Sequence, residues 1–385
     1  MLLFAAMACS SGETSRPGFP RSELTPVVGA PFPYASAEQV GLDPQRLWRF
    51  KERLYARVVA RHLVGSEILV LKDGRIVLHQ AMGWADIDRQ IPLERNSIFP
   101  IASMTKPFLG VVVLQLVEQG LVQLDAPVAT YLPSFDNSRS GGITIRQLLT
   151  HRSGFAQGAE PEGYEDAAGL ADAVTLLGAA GPDFTPGERY IYSGLNSDAL
   201  GAVVEAVTGK RVEKALEARI IEPLGLEDTH TAFAPDNPWA QRVPSLYRSW
   251  SRARWERHWN PLRPHETNWF SPAGGLYASA FDYAKFLQGH RDGRLVADTT
   301  VALALADSYA TDRSDSVPRW YGMHWEIYAA PSAPAVLPVF GHRGASGTLG
   351  MVIPRSNTIV IYLTNSREND VIEEVIVSAI EMFGD

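Results

Sequence analysis

Residues 99–121 read FPIASMTKPFLGVVVLQLVEQGL, which places Ser103 three residues before Lys106 at the start of a long apolar run. The run predicts a buried helix that begins near Ser103. Positions three apart lie on one face of a helix, so the two side chains would be within reach of each other. A serine hydroxyl becomes a nucleophile only beside a base. The stretch therefore predicts either an activated nucleophile or a helix-capping serine followed by an exposed lysine.

Both ends of the chain carry strand patterns. Residues 66–86 and 346–366 each read as two strands joined by a turn, the first at Asp73-Gly74 and the second near 354–357. Residues 44–58 and 371–383 read as amphipathic helices, the first capped by Asp43. Helical and loop patterns fill the part between about 100 and 265. An antiparallel sheet must therefore form from both ends of the chain and carry the terminal helices.

These patterns predict an α/β plus all-α fold in three parts. Residues 1–35 are rich in Pro, Gly and Ser and lie outside the fold. Residues 36–100 and 266–385 form the sheet subdomain. Residues 101–265 form an inserted helical subdomain with Ser103 at its start.

Composition narrows the function classes. The chain has 385 residues and a formal net charge of -8, which argues against a nucleic-acid partner. No stretch approaches 18 consecutive apolar residues. The single cysteine, Cys9, ends the segment MLLFAAMAC, which resembles a bacterial lipoprotein signal although no Lys or Arg precedes it. We expect an extracytoplasmic protein, periplasmic or held at a membrane through a lipid on Cys9, with a plain disordered tail of a cytoplasmic protein as the alternative.

Several motifs in sequence resemble the serine β-lactamase and penicillin-binding-protein superfamily, in its class C-like branch. Besides residues 101–133, they are ITIRQLLTHRSGF (143–155), PGERYIYSGLNSDALGAVVEAVTG (186–209), SPAGGLYASAFDYAKF (271–286) and FGHRGASGTLG (340–350). The resemblance covers roughly residues 40–385. It implies a β-lactamase/transpeptidase-like fold and a serine that forms an acyl-enzyme, with Ser103 as nucleophile and Lys106 as its base.

The resemblance also implies a tyrosine that works with the lysine, and the matching position is Tyr192. The family's Tyr-x-Asn pattern is broken here, because Gly194 stands where Asn is usual and Asn196 follows two residues later. Asn196 is therefore the candidate for the missing substrate-binding amide. Tyr190 is the competing tyrosine, and a purely structural role for either remains open.

The third motif departs further from the family. Lys-Thr-Gly is replaced by His342-Arg343-Gly344, so the usual carboxylate-binding lysine is absent. His342 is mostly neutral at pH 7 and binds a carboxylate less well. Arg343 is the candidate that could bind a substrate carboxylate in its place, although strand alternation should point it away from the side of His342. Gly344 allows close backbone approach, and the N–H groups of Ala345 and Ser103 would form the oxyanion hole.

Other chemistries lack their patterns. There is no Gly-x-Ser-x-Gly elbow, His-Glu-x-x-His, phosphate loop or Gly-x-Gly-x-x-Gly, and the nine histidines show no metal spacing, so we expect no metal and no cofactor. His151 is interpreted as a hydrogen-bonding residue within a turn.

The segment 232–270 is rich in tryptophan. It reads either as an irregular surface layer or as the aromatic wall of a cleft, and it contains Trp239, Trp250, Trp255, Trp259 and Trp269.

The sequence thus predicts a serine hydrolase acting on small-molecule esters with short acyl groups, because both departures remove groups that would serve a carboxylate-bearing or amide substrate. The departures are closest to the family VIII carboxylesterases. The main alternative is a β-lactamase or D-aminoacyl peptidase acting on amides. A non-catalytic descendant that binds peptidoglycan or a partner protein is a third hypothesis, which the intact Ser103, Lys106 and Tyr192 disfavour.

Overall fold

The computed structural model describes residues 19–251, 254–260, 269–311, 319–329, 337–367 and 371–384, of which 250, 251 and 329 are described by their backbone alone. Cys9 and the side chain of Trp250 therefore lie outside the described part. The α-helices are α1 Pro44–Val59, α2 Lys106–Glu118, α3 Ile145–Leu149, α4 Leu170–Ala180, α5 Gly194–Thr208, α6 Val212–Leu216, α7 Glu222–Leu224, α8 Ala280–Arg291, α9 Asp298–Ala306 and α10 Val371–Phe383.

Shorter helical turns connect these elements. A π-helical turn covers Glu217–Ile221, and the 3-10 turns are Glu38–Val40, Ala102–Thr105, Val128–Thr130, Pro133–Phe135, Ala240–Arg242 and Pro354–Ser356. The strands are β1 Gly65–Lys72, β2 Arg75–Asp86, β3 Ile91–Pro92, β4 Ile98–Pro100, β5 Thr229–His230, β6 Leu246–Ser251, β7 Arg254–Trp259, β8 Tyr277–Ser279, β9 Tyr309–Ala310, β10 Trp320–Tyr321, β11 Glu326–Ala329, β12 Val339–Arg343, β13 Leu349–Ile353, β14 Thr358–Thr364 and β15 Ser366–Arg367.

The main sheet joins the two ends of the chain, as the sequence predicts. Nine strands lie in the order β3-β2-β1-β14-β13-β12-β11-β10-β9, and β1 pairs antiparallel with β14 from the opposite end of the chain. The β1–β2 turn has positive φ at both Asp73 (52°) and Gly74 (71°), the conformation that a type I′ hairpin requires. The first predicted hairpin is confirmed.

Alternation along β1 decides which helices cover each face of the sheet. Ile68 and Val70 pack in the cluster that contains the apolar faces of α1 and α10, whereas Leu69 and Leu71 face the larger core that includes α2, α5 and α8. Since successive strand residues point to opposite faces, one strand ties both layers together. Asp43 caps α1 by accepting a hydrogen bond from Gln45 N at 2.8 Å, as its position predicts.

The prediction that residues 1–35 lie outside the fold is wrong for residues 19–35, because Arg21 and Tyr34 form bridges with Met82 and Ile76 of β2. The last part of the predicted helical subdomain is also not helical. Strands β6 and β7 form a hairpin there, and β6 pairs in parallel with β15 from the chain's far end. In addition, β4, β8 and β5 make a small second sheet beside Ser103. Among the described residues, no helix is long and apolar enough to cross a membrane.

Candidate active site

Ser103 and Lys106 lie close together, as the sequence predicts. A 3-10 turn brings them together rather than the predicted α-helix. Residues Ala102–Thr105 form a 3-10 turn, and the α-helix begins only at Lys106. Residues i and i+3 are superimposed along a 3-10 helix, which brings the two side chains close. Lys106 Nζ donates to Ser103 Oγ at 3.2 Å. Ser103 is therefore half-buried in a tight turn that ends at the buried helix α2.

The Lys106 amine is buried beside a hydroxyl, a carbonyl oxygen and an aromatic ring. The residue is 2% exposed, and Nζ also donates to the carbonyl oxygen of Ala273 at 2.8 Å. Within the part of the chain that the structure describes, no carboxylate lies within 4.0 Å of this nitrogen. A buried charge without an ion-pair partner is costly. The amine is therefore held by a hydroxyl and a carbonyl oxygen rather than by a carboxylate.

Tyr192 faces this amine. Lys106 Nζ lies 4.9 Å from the centroid of the Tyr192 ring. Tyr192 directly precedes Ser193, whose side chain caps α5 by accepting a hydrogen bond from Leu195 N at 3.3 Å. Among the described residues no such contact to Lys106 is made by Tyr190, whose ring lies 5.7 Å from that of Tyr321. The geometry thus brings the predicted Ser103, Lys106 and Tyr192 together.

His342 is held as a neutral ring. Its Nδ1 lies 2.7 Å from the Arg343 carbonyl oxygen and must donate, so its Nε2 accepts from the Tyr321 hydroxyl at 3.0 Å. Burial lowers the pKa of His342 to about 4, and the nearby Lys106 adds to this shift. His342 therefore brings no positive charge to the site at neutral pH.

Arg343 is engaged on the other side of the strand. Its guanidinium contacts both oxygens of Glu326 at 3.0 Å and Glu373 Oε1 at 3.0 Å. Burial alone would raise the pKa of Glu326, but the charge of Arg343 outweighs it and lowers the pKa to about 2. Glu326 is thus ionised at neutral pH, and both carboxylates contact the arginine.

Asn196 is buried and its amide is already bonded within the protein. Its Nδ2 donates to His151 Nδ1 at 2.8 Å, and its Oδ1 accepts from Ser153 Oγ at 2.5 Å. The residue is 0% exposed. This placement supports a role behind Tyr192 rather than the predicted contact with substrate.

Gly344 brings the end of β12 against the nucleophile turn. A Cβ at this position would collide with the Ile101 carbonyl oxygen and the Thr348 side chain, so only glycine fits. Ser346 Oγ donates to the Pro100 carbonyl oxygen at 2.9 Å and fixes the same junction. Ala345 lies between these two attachments. The predicted oxyanion-hole pair, Ser103 and Ala345, therefore lies where β12 meets the turn.

A cleft of about 250 Å³ opens beside this junction. Its lining combines residues of the junction with aromatic, apolar and basic side chains: Pro100, Ala102, Gly274, Ala345, Ser346, Leu246, Trp259, Tyr277, His258 and Arg367. Of the predicted tryptophan segment, Trp259 alone among the described tryptophans reaches this cleft. Trp239 stacks on His230 at 4.1 Å and Trp255 Nε1 donates to the Arg61 carbonyl oxygen, so they belong to a surface layer.

Sequence reasoning missed two residues beside Lys106. His324 Nδ1 donates to the Lys106 carbonyl oxygen at 3.0 Å, and Tyr321 packs its ring 5.9 Å from that of Tyr192. Burial lowers the pKa of His324 to about 3. Neither residue lies in a family-like motif, so no signal in the sequence marked them. In the described residues, no three His, Cys, Asp or Glu side chains form a group that could hold a metal ion.

Comparison with known proteins identifies a family model that matches most of the chain. The family model described as Beta-lactamase matches residues 50–377. The esterase EstB of Burkholderia gladioli is 37% identical over 187 residues, which make up 44% of this chain and 47% of EstB. The match thus spans less than half the length of that relative.

Solved structures share the fold. EstCE1, described as a hydrolase with promiscuous acyltransferase activity, gives a TM-score of 0.74 at 22% identity and covers 86% of this chain and 98% of its own. The D-amino acid amidase of Ochrobactrum anthropi gives 0.72 at 22% identity, covering 88% and 99%. These comparisons confirm the predicted resemblance and the β-lactamase/transpeptidase-like fold class.

Proposed function

Since this chain belongs to the Beta-lactamase family, we propose that it is a serine hydrolase that cleaves carboxylic esters of short acyl groups through an acyl-enzyme. The observation that carries the proposal is the 3.2 Å contact between Lys106 Nζ and Ser103 Oγ in a buried setting without a carboxylate partner among the described residues. A nucleophile and its base within hydrogen-bond reach are what covalent catalysis requires.

The proposed reaction has two halves. Ser103 Oγ attacks the ester carbonyl carbon and its proton passes to Lys106 Nζ. The bond to the alcohol oxygen then breaks, and that oxygen receives the proton through Lys106 and Tyr192. Water attacks the resulting acyl-serine, the acid leaves, and Ser103 regains its proton. In both halves the N–H groups of Ser103 and Ala345 hold the oxyanion, and each such donor typically lowers the barrier by about 2.7 to 4 kcal/mol.

The third motif supports a neutral substrate. A carboxylate-bearing lactam needs a cation at this strand, but His342 is neutral at pH 7 and Arg343 is paired with Glu326 and Glu373. Neither side chain is placed to bind a substrate carboxylate. At strand β12 this favours esters without a negative charge over β-lactams and D-alanyl peptides, and the arginine that does line the cleft, Arg367, lies on β15.

The cleft supports a short acyl group. Its volume of about 250 Å³ lies below the usual range of ligand pockets, roughly 300 to 1,000 Å³. Trp259 and Tyr277 line this cleft together with Ala345 and would contact the acyl chain, and rigid rings bury apolar ligand area at little entropic cost. EstB carries the name esterase and is similar to this chain over about half of each protein.

Amide hydrolysis is the second candidate, because a D-amino acid amidase and a D-stereospecific amidohydrolase share the fold. A substrate panel separates the two. We expect turnover of p-nitrophenyl acetate and butyrate to exceed that of nitrocefin and of D-alanine p-nitroanilide. Strong nitrocefin or anilide turnover with weak ester turnover would reverse the assignment.

A non-catalytic binding protein is tested separately. A fluorophosphonate should form a covalent adduct that disappears in Ser103→Ala. A folded wild-type protein without an adduct would favour the binding role. The extracytoplasmic location and the lipid at Cys9 remain predictions from sequence, which the intact mass of membrane-extracted protein would test.

A further inference from the structure

His151 holds Tyr192 in place through both neighbouring peptide groups. Its carbonyl oxygen accepts from Ile191 N at 2.8 Å, and its ring Nδ1 accepts from Ser193 N at 3.3 Å. Ile191 and Ser193 are the residues on either side of Tyr192. The His151 ring also packs against the Tyr192 ring, with 4.5 Å between centroids. The carbonyl group and the ring of His151 therefore fix both the backbone path through Tyr192 and the orientation of the Tyr192 ring.

The hydrogen bonds define the state of this histidine. Nδ1 receives N–H groups from Ser193 and from the Asn196 amide, so the ring proton must sit on Nε2. The Asn196 amide cannot rotate freely, because its Oδ1 accepts from Ser153 Oγ. The chain of donors thus runs in one direction, from Ser153 to Asn196 to His151. Burial also lowers the pKa of His151 well below its usual value, which agrees with a neutral ring.

The His151 backbone is committed to this arrangement. The residue is 0% exposed and has φ of 52°, in the left-handed region that few non-glycine residues adopt. Such conformations persist only where surrounding contacts over-determine them. A histidine that served only to end α3 would not need both a ring acceptor and a strained backbone aimed at one tyrosine.

We propose that His151 is the positioning residue of the proton relay: it clamps residues 191–193 so that the Tyr192 ring stays against Lys106, whose Nζ is 4.9 Å from the ring centroid. The inference rests on the proposed function, since it assigns His151 to act through Tyr192. His151 itself makes no step of the reaction.

The test is a double-mutant cycle on kcat for p-nitrophenyl butyrate. We expect His151→Ala to lower kcat about 30-fold with KM changed less than threefold, because small misplacements of relay groups cost this much. In the Tyr192→Phe background the same change should lower kcat less than threefold, since the hydroxyl that His151 positions is already gone. Equal factors in both backgrounds, or a rise in KM alone, would overturn the proposal.

Two further variants keep the result interpretable. Asparagine tolerates φ near +50° and its Oδ1 can replace Nδ1 as acceptor, so His151→Asn should recover at least a third of wild-type kcat. If His151→Ala does not fold, Asn196→Ala replaces it in the cycle, with about fivefold lower kcat expected in the wild-type background and no further loss with Tyr192→Phe.

His290 provides the matched control, because it is also a buried histidine and stacks on Trp325 at 4.6 Å. His290→Ala should lower Tm without changing kcat per folded molecule. The fluorophosphonate adduct distinguishes a failure of the proposed function from a failure of the role proposed for His151. If wild type forms neither adduct nor product, the proposed function fails. If wild type is active and the cycle is additive, only the role of His151 fails.

Discussion

Two buried cations lie on opposite sides of strand β12 and have opposite surroundings. The relay cluster, Lys106 with Tyr192, His151, Tyr321 and His342, contains aromatic rings and neutral histidines around one amine. The ion-pair cluster, Arg343 with Glu326, Glu373 and Arg319, surrounds its cations with carboxylates. The relay cluster offers no carboxylate to Lys106 among the described residues, whereas the ion-pair cluster places carboxylates against both of its arginines.

Under the proposed function, this contrast is the reason that the chemistry is assigned to the first cluster. A cation that is saturated with carboxylates keeps its proton and its place, which stabilises the fold but leaves nothing to react. An amine among neutral rings can exchange a proton with Ser103. The departure of the third motif from its family pattern has the same meaning, because the arginine beside His342 contributes to packing and not to substrate charge.

The largest expected effect comes from removing the relay groups. We expect Lys106→Ala and Tyr192→Phe each to lower kcat for p-nitrophenyl butyrate at least about a hundredfold, in line with loss of general acid–base catalysis. Thermal unfolding should show that both variants remain folded. Near-wild-type turnover in either variant would remove that residue from the relay and weaken the contrast between the clusters.

The ion-pair cluster should respond in stability. Glu326 is 7% exposed and both of its oxygens contact Arg343, so Glu326→Gln removes the buried carboxylate of this pair and leaves Glu373 as the one carboxylate on Arg343. We expect a loss of about 3 kcal/mol in the free energy of unfolding, measured with urea at pH 7. The control is Glu374→Gln, which breaks a more exposed pair with Arg57 and should cost less than about 1 kcal/mol. Equal losses of unfolding free energy in the two variants would mean that the Arg343–Glu326 pair stabilises the fold no more than an exposed pair does.

Acid should expose the neutral histidines of the relay cluster before it affects the ion-pair cluster. The pKa of His342 is lowered to about 4 in the folded state, so the unfolded chain binds an extra proton between about pH 6.5 and 4 and folding stability falls as pH falls. Its share is about 2 kcal/mol between pH 7 and 5. The pKa of Glu326, about 2, is reached only at lower pH.

The measurement is the free energy of unfolding against pH in wild type and His342→Gln. The variant should lose less stability between pH 7 and 5 than wild type does. If the unfolding free energy of His342→Gln fell with pH as steeply as that of wild type, His342 would not be the group that takes up the proton on unfolding.

The smallest effect concerns substrate charge. His342→Lys restores the family's cation at the third motif, and a partly screened charge near the site is worth about 1 kcal/mol. We expect the kcat/KM ratio of p-nitrophenyl hydrogen succinate to p-nitrophenyl butyrate to rise about fivefold. An unchanged ratio would place the substrate's acyl group away from β12.

Local chemistry made part of this structure predictable. Asp73-Gly74 fixed a two-residue hairpin, Asp43 fixed a helix start, and the spacing of Ser103 and Lys106 predicted their contact. These features depend on neighbours in sequence, which a single sequence displays. The contact formed through a 3-10 turn rather than the predicted α-helix, because Pro107 takes an early position in α2 and the helix begins at Lys106.

The remainder depends on partners that lie far apart in the chain. Arg343 meets Glu326 and Glu373, 17 and 30 residues away, and the Asn196 amide meets His151 45 residues away. Periodicity carries no information on such pairs. The predicted roles of Arg343 and Asn196 toward substrate therefore could not be weighed until the sheet and the helical layer had been assembled.

The central claim is that Ser103 becomes acylated because Lys106 removes its proton. Acid quenching during turnover of p-nitrophenyl butyrate, followed by peptide mass mapping, tests it directly. We predict a butyryl group on the peptide that contains Ser103, absent in Ser103→Ala and strongly reduced in Lys106→Ala. Turnover with the acyl group on another residue, or an equally rapid acylation of Ser103 in Lys106→Ala, would contradict the account.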